Sequence, residues 1–485
     1  MGHTQGMLRF LRAHRWARRL SLGVLVLVLF VGGLTGAAFA YVAYRNHQIH
    51  RVRVGSLQVS AGPNVGTQTF LMIGSTSRCV LNGKQANAFG SCAQGITGVN
   101  SDVVMLLRAD QANHTVRILS IPRDLVLQNV RPGQFHKIDA ALADGPTQLV
   151  KVIEQDFGIP INHFVELNFD SFQGIVNSIG GIRMYFPTPE KDLYSSLNIK
   201  TKGCHLLNGF EALAVVRARH LEYGSHLQYY DGSGDLGRII RDHEFLRVLA
   251  GQVASHGLGN PISDNSLIGS IAPQLTVDSG LSVTDMINLV LTFHGISPSA
   301  VPQWTLPNIE DHADYMYQGY DYGSVVFPAY PQDQRVIDQF LGLSTPPSSS
   351  LPASSVTLSV VDGTANPAGT ARASSKLSAL GFHVISGGSA TPVGPVSEAI
   401  VYYKAGHLAQ AQRVADSLTG IVSLAEGPTA AGASVTLVTG SNFSVVPLHP
   451  HHAAHPSPAD VNPLSMLGPV SAGLQSLPWY DPRGC

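Results

Sequence analysis

The sequence predicts an α/β fold in two units of unequal size, and three observations carry that prediction. From residue 67 onward, short apolar, β-branched runs alternate with helical stripes. A Pro/Ser stretch, "TPPSSSLPASS" at 345–355, interrupts this alternation, and a shorter one follows it. The chain has 485 residues, of which 44% are hydrophobic and 13% charged. One domain per roughly 150 residues then gives two or three folded units with real cores.

The elements follow in order. "TFLMIG", "DVVMLLRAD" and "TVRILSIPRD" read as strands, the last ended by Pro122. In "PTQLVKVIEQDFG", Leu149, Val152, Ile153 and Phe157 form a helical stripe that Gly158 closes. "HFVELNF" is a strand, "DSFQGIVNSIGG" a helix stopped by glycines, and "IRMYFP" a strand. "LNGFEALAVV" starts a helix with Asn208 at the N-cap and Glu211 at N3, close to a capping box. "GDLGRIIRDHEF" starts another, capped by Ser233 or Asp235. Its buried stripe is Leu236, Ile239 or Ile240, His243, Leu246, Leu249 and Val253. Strands and helices that alternate in this way form a sheet covered by helices.

Beyond the linker, "VTLSVVDG", "EAIVYYKAG" and "ASVTLVTG" read as strands, with "AGTARASSKLSALGF" and "HLAQAQRVADSLTG" as helices between them. The resulting divisions are a basic terminus at 1–19, an apolar run at 20–44, a polar stalk at 45–66 and a first α/β unit at 67–343. A linker at 344–355 and a second unit at 356–443 follow. Residues 444–485 are rich in Pro, His, Ser and Gly and read as a disordered tail.

Arg9, Arg12, Arg15, Arg18 and Arg19 precede the uncharged run Leu20–Tyr44, which at about 25 residues is long enough to span a bilayer. The flanking arginines put the N-terminus in the cytoplasm and the rest of the chain outside the cell membrane. The alternative is a cleaved signal peptide ending near "AFA" at Ala38–Ala40, although the apolar run exceeds an ordinary h-region of about 7–15 residues. Four cysteines are present. Cys79 and Cys92 flank a Gly/Asn/Ala-rich loop and are the best candidate disulfide, while the sequence leaves Cys204 and Cys485 unassigned.

The net charge is -1, which argues against a nucleic-acid binder and confines any anion site to a local cluster. Walker, zincin, EF-hand and nucleophile-elbow motifs are absent. What remains is arginine and aspartate at element ends. Arg123 and Asp124 follow the strand that Pro122 terminates. Arg217 and Arg219, two apart, share a face only on extended chain. Arg238 and Arg241 lie one turn apart in the first turns of a helix, where a cation is unfavourable by roughly 0.3–1 kcal/mol. A bound anion reverses that sign, because helix N-termini and arginine forks both suit phosphate. Asp102 opens a strand and, beside such a cluster, is a candidate Mg²⁺ ligand.

"SDVVMLLRAD", "SIPRDLVL", "HKIDAALADG", "IGGIRMYFP", "LNGFEALAVVRARH" and "GDLGRIIRDHEFL" occur in this order. Together they resemble the LytR-CpsA-Psr family of cell-wall glycopolymer transferases over roughly 67–343. Residues 356–443 resemble the LytR C-terminal domain. The resemblance implies an αβα fold, with a mixed sheet covered by helices around an apolar lipid pocket. It implies transfer of a polyprenyl-pyrophosphate-linked glycopolymer onto peptidoglycan at the membrane, with Mg²⁺ as cofactor. By motif position, Arg123, Arg217, Arg219 and Arg238 would grip the pyrophosphate, with Arg241 beside them. Asp102 would hold the metal, and Asp235 or Asp124 would orient or deprotonate the acceptor. Two departures stand out. Thr76 occupies the place of the family's second metal-binding aspartate, and Asp242 replaces a glutamine. The alternatives are a lipid-pyrophosphate phosphatase and a non-catalytic wall-binding scaffold with a degenerate metal site.

Overall fold

The computed structural model describes residues 49–58, 66–76, 99–255, 274–343, 351–446 and 477–485, together with Tyr44, His47 and Ile271. Short breaks fall at 294, 312–314, 318, 331, 365, 390–398, 405 and 441–442. The apolar run, Tyr44 excepted, and the candidate Cys79–Cys92 pair lie outside these residues. Among the described residues no helix is long and apolar enough to cross a membrane.

The first unit is built on a seven-stranded mixed sheet. Its strands in chain order are β1 (His50–Val52), β2 (Thr67–Ser75), β3 (Ser101–Asp110), β4 (Thr115–Ile121), β5 (His163–Leu167), β6 (Thr276–Asp278) and β7 (Gln303–Thr305). The spatial order is β1-β6-β5-β2-β3-β4-β7. β2, β3 and β4 form an antiparallel meander, while β5 runs parallel to β2. The expected stalk therefore includes an edge strand, since β1 pairs with β6.

Alternation along β2 sends successive side chains into two separate cores. Leu71 and Ile73 pack with Leu106, Leu119 and helix α1 (Pro146–Phe157) on one face. Phe70 packs with Ala109, Val277 and Leu281 on the other, where Met72 joins it. A sheet filled on both faces needs cover on both, which is the αβα layering the sequence implied. α1 begins at Pro146 and ends on Gly158 in the left-handed region, φ 63°. Its buried Leu149, Val152, Ile153 and Phe157 match the expected stripe, each worth about 1.5–3 kcal/mol of burial.

The remaining helices frame the site. α2 (Phe169–Ser178) and α3 (Gly209–Arg217) cross closely at Gly209, where a Cβ would lie 2.4 Å from the Gln173 carbonyl oxygen. The Gly209 N–H donates to Asn177 Oδ1 at 2.8 Å. The capping box on α3 is present: Glu211 N–H donates to Asn208 Oδ1 at 3.1 Å, and Asn208 N–H to Glu211 Oε2 at 3.0 Å. α4 (Gly234–Ser255) is pinned to β4 by a 2.7 Å contact between His243 Nε2 and Ser120 Oγ. Burial lowers the His243 pKa to about 4, so the ring is neutral. The buried face of α4 is offset from the expected apolar stripe, of which Ile239 is buried while Leu236, Leu246, Leu249 and Val253 are half-buried. It includes Arg238, Arg241, Asp242 and Glu244 beside Ile239, Phe245 and Val248.

The second unit shares a sheet with the first. Strand β8 (Val325–Tyr330) pairs antiparallel with β9 (Leu418–Glu426), so the linker does not leave the units as separate beads. Tyr403 Oη also donates to the Gln155 carbonyl on α1 at 2.6 Å. At the far end, residues 477–485 are ordered, against the expectation of a disordered tail. Arg483–Gly484 pairs with Ile182–Phe186 as an added strand. Cys485 forms a disulfide with Cys204.

Candidate functional site

Four loops and helix ends meet at one rim of the sheet. Pro122 ends β4 and opens a turn that the Leu125 N–H closes on the Pro122 carbonyl at 3.1 Å. This turn projects Arg123 and Asp124. α3 ends at Arg217, and Ala218 turns the chain to extended geometry, φ -66° and ψ 123°. The next two amides, Arg219 N–H and His220 N–H, both donate to Asp192 Oδ2 at 2.8 Å. The first turn of α4 adds Asp235 and Arg238.

The side chains interlock. Arg123 Nη1 pairs with Asp102 Oδ1, and its Nε lies 3.4 Å from both Asp124 Oδ2 and Asp235 Oδ1. Arg238 Nη2 is 2.8 Å from Asp235 Oδ1 and donates to the Asp102 carbonyl at 2.6 Å. Arg219 Nη1 reaches Asp235 Oδ1 at 4.0 Å, and its side chain is 35% exposed. Arg217 lies over the Phe169 ring, 4.7 Å from its centre. Lys137 Nζ, which sequence reasoning did not single out, donates to Asp124 Oδ1 at 2.9 Å.

Burial works to raise the pKa of Asp102, but Arg123 and Arg238 more than offset it and hold the carboxyl below its ordinary value. Asp124 is likewise held low, with Arg123 and Lys137 outweighing burial. Asp242 is different. Burial pushes it up to about 8 against the opposing pull of Arg238, so it is mostly protonated at neutral pH. Four arginines and Lys137 face Asp102, Asp124 and Asp235, so cationic side chains outnumber the carboxylates they pair with.

This cluster lies between two cavities of opposite character. On one side, an apolar cavity of about 120 Å³ runs between the sheet and helices α2, α3 and α4. Met72, Met105, Phe172, Leu213 and Phe245 line it, and Asp102, Arg217, Arg238 and Asp242 also border it. On the other side lies a polar cleft of about 320 Å³, bordered by Asp124, Arg219, His220, Tyr230, Ser233 and Asp235.

The structure thus joins seven of the nine residues the sequence nominated through ion pairs and shared cavity walls, and leaves Thr76 and Arg241 outside that set. Arg241 is 1% exposed and turns away from the cluster. Its Nη1 donates to Asp231 at 2.8 Å and to Asp481 at 2.9 Å, and its Nη2 donates to the Ala218 carbonyl at 2.8 Å. It is a structural hub whose guanidinium is taken up by these partners and does not enter the cluster.

The metal assignment does not fit the residues present. The Thr76 hydroxyl is committed to Asn100, accepting its N–H at 3.0 Å and donating to its carbonyl at 3.2 Å. Asp102 is occupied by Arg123. Among the described residues, no three His, Cys, Asp or Glu side chains are grouped to hold an ion. The Thr76 hydroxyl therefore ties the end of β2 to the residue before β3, and Arg123 supplies the positive charge beside Asp102.

The LytR_cpsA_psr family model matches residues 38–329. A second model, described as LytR cell envelope-related transcriptional attenuator, matches 355–443. The chain is 29% identical over 298 residues to a probable cell wall biosynthesis protein, LcpB, of Corynebacterium glutamicum, covering 61% of this chain and 66% of that one. It is 30% identical over 210 residues to the polyisoprenyl-teichoic acid–peptidoglycan teichoic acid transferase TagV of Bacillus subtilis, covering 41% of this chain and 50% of that one. The chain thus spans half to two thirds of the length of these two curated relatives. Among solved structures, a LytR-Csp2A-Psr enzyme from Actinomyces oris aligns at 23% identity and a TM-score of 0.47, over 61% of this chain and 96% of that one. The family match runs from before β1 to the end strand of the first unit, taking in every element that builds the arginine cluster, and the chain belongs to the LytR-CpsA-Psr family.

Proposed function

We propose that this chain is a membrane-associated phosphotransferase that moves a polyprenyl-pyrophosphate-linked glycopolymer onto peptidoglycan. One observation carries the reading: a positively charged arginine cluster joins an apolar cavity to a polar cleft. Such a site suits a ligand with a hydrocarbon tail, a doubly anionic centre and a sugar chain. The relatives named as teichoic acid transferases act, by their names, on a polyisoprenyl-linked teichoic acid, which has such a tail and polymer.

Arg123, Arg217, Arg219 and Arg238 neutralise the pyrophosphate and stabilise the charge that grows on its oxygens, the dominant contributions in phosphoryl transfer. An acceptor hydroxyl from the cleft attacks the polymer-side phosphorus. The bond from that phosphorus to the bridging oxygen breaks, and polyprenyl phosphate leaves with the electron pair. The hydroxyl proton passes to a carboxylate at the cleft, Asp235 or Asp124. No step is assigned to Mg²⁺, because the donor set does not fit one. The uncharged run 20–44, with its arginine flank, supports placing donor and enzyme on one membrane face, with the first unit outside the cell.

The test uses a lipid-pyrophosphate-linked oligosaccharide, with and without a peptidoglycan acceptor. Transfer should require the acceptor and fall sharply in Arg219→Ala and Arg238→Ala. Unchanged transfer in both variants would overturn the phosphate grip. Release of polyprenyl phosphate at the same rate without acceptor would make the chain a phosphatase. The committed hydroxyl of Thr76 is the observation that favours a wall-binding scaffold, and that reading requires lipid binding with no turnover.

A further inference from the structure

The last nine residues form a compact insert on the first unit. Arg483 Nη2 donates to the carbonyls of Pro478, Trp479 and Asp481 at 3.0, 2.7 and 3.3 Å, which folds the segment on itself. Tyr480 stacks on Tyr223 with ring centres 3.9 Å apart. The Gly484 N–H donates to Glu244 Oε1 on α4 at 3.1 Å, and Cys485 is bonded to Cys204. A terminal segment would be expected to fray unless tied down. Here a strand pairing, a ring stack and a covalent bond all tie it.

These ties deliver one side chain into the interior. Asp481 is 0% exposed and accepts from Arg241, itself 1% exposed. Arg241 in turn touches two segments of the rim. Its bond to the Ala218 carbonyl holds the residue between Arg217 and Arg219. Its bond to Asp231 holds the side chain that accepts the Ser233 N–H at 2.9 Å, just before Asp235. A buried guanidinium that loses a partner is strongly destabilised where it sits, so its remaining contacts shift or take in water.

We infer that Asp481 is a positioning residue for the arginine cluster. Carried in by the C-terminal segment, it fixes Arg241, and Arg241 fixes the two backbone segments that present Arg217, Arg219 and Asp235. The far end of the chain, more than 150 residues beyond the first unit's family match, is then a working part of that unit's site. The effect on ligand rests on the function proposed above; the positioning itself does not.

The experiment compares the full chain with Asp481→Ala, Asp481→Asn and the exposed-residue control Trp479→Ala. Amide hydrogen exchange is read first, without ligand. Exchange at Arg219, His220 and Ser233 should be about tenfold faster in Asp481→Ala and less affected in Asp481→Asn, with strands of the second unit unchanged. Binding of geranylgeranyl pyrophosphate is read next. A loosened site should bind it about tenfold more weakly in Asp481→Ala, a cost in line with small misplacement of binding groups, while Trp479→Ala binds normally. Unaltered exchange at those three amides in Asp481→Ala overturns the inference. If the unmodified chain fails to bind the lipid pyrophosphate, the proposed function falls, and the exchange data still decide the role of Asp481.

Discussion

Arg238 and Arg241 stand one turn apart on the same helix, yet they occupy opposite kinds of surroundings. Arg238 belongs to the rim, where cations outnumber ionised carboxylates and two cavities open. Arg241 belongs to a closed cage, where Asp231 and Asp481 share its Nη1 and a backbone carbonyl takes its Nη2. The rim has charge to spare for a ligand, whereas the cage spends its charge internally. The same residue type is therefore left with charge to offer in one place and serves architecture in the other, and what separates them is the supply of partners.

Variants can break this contrast or sharpen it. The largest effect should come from the cage. Arg241→Ala leaves two carboxylates buried without their cation and should cost about 3–5 kcal/mol of stability by chemical denaturation. Next is the rim, where Arg238→Ala should lower transfer by about 10²–10³-fold, or about 2.7–4 kcal/mol, with a smaller change in melting temperature. If the two variants lose activity and stability in the same proportion, the distinction fails.

The pH dependence should differ in sign between the two regions. Asp481 is raised from 3.8 to about 6, by burial first and by Asp231 sharing the same guanidinium, with Arg241 opposing. The folded state thus binds its proton more tightly. Its contribution is complete below pH 3.8 and is lost as pH rises through about 6, an effect of up to about 3 kcal/mol. Asp102 is held below 3.8, so its contribution is complete above that value and is lost as pH falls through its folded pKa. Melting curves across pH for Asp481→Asn and Asp102→Asn, each against the unmodified chain, should diverge in opposite directions.

Smaller effects test what surrounds the rim. Asn208→Ala removes the α3 cap and should cost about 1 kcal/mol, lowering thermal stability more than turnover. Adding EDTA should change transfer by less than about threefold, because Asp102 is taken up by Arg123 and, among the described residues, no three acidic, His or Cys side chains are grouped for a divalent ion. A much larger loss would mean that substrate phosphates complete a metal site the side chains do not.

Much of this was legible from local sequence. The strands around Ile73, Met105 and Leu119, the helix closed by Gly158 and the Asn208–Glu211 capping box all rest on neighbours within a few residues. The rim was legible for a related reason, since Arg123 and Arg238 lie near element ends that Pro122 and Gly234 mark, and the spacing of Arg217 and Arg219 suits chain that has left the helix. Arg241 was misread because helical spacing defines a face but not what covers it, and its partner lies 240 residues away. Asp481 was missed because the Pro- and His-rich stretch before it dominated the composition of 444–485. Lys137 carries no local signal, because only the packing of its strand against the Arg123 turn brings it to Asp124. The shared sheet was hidden by the linker, whose Pro/Ser content says nothing about whether the strands on either side pair with each other.

The Cys204–Cys485 bond closes a covalent ring of the last 282 residues, with 281 residues of separation between its cysteines. The second unit is therefore an arc of that ring, attached at both ends. One proteolytic cut anywhere along the arc opens the ring but releases nothing. The nicked chain would run as a single species on a non-reducing gel and as two fragments once reduced.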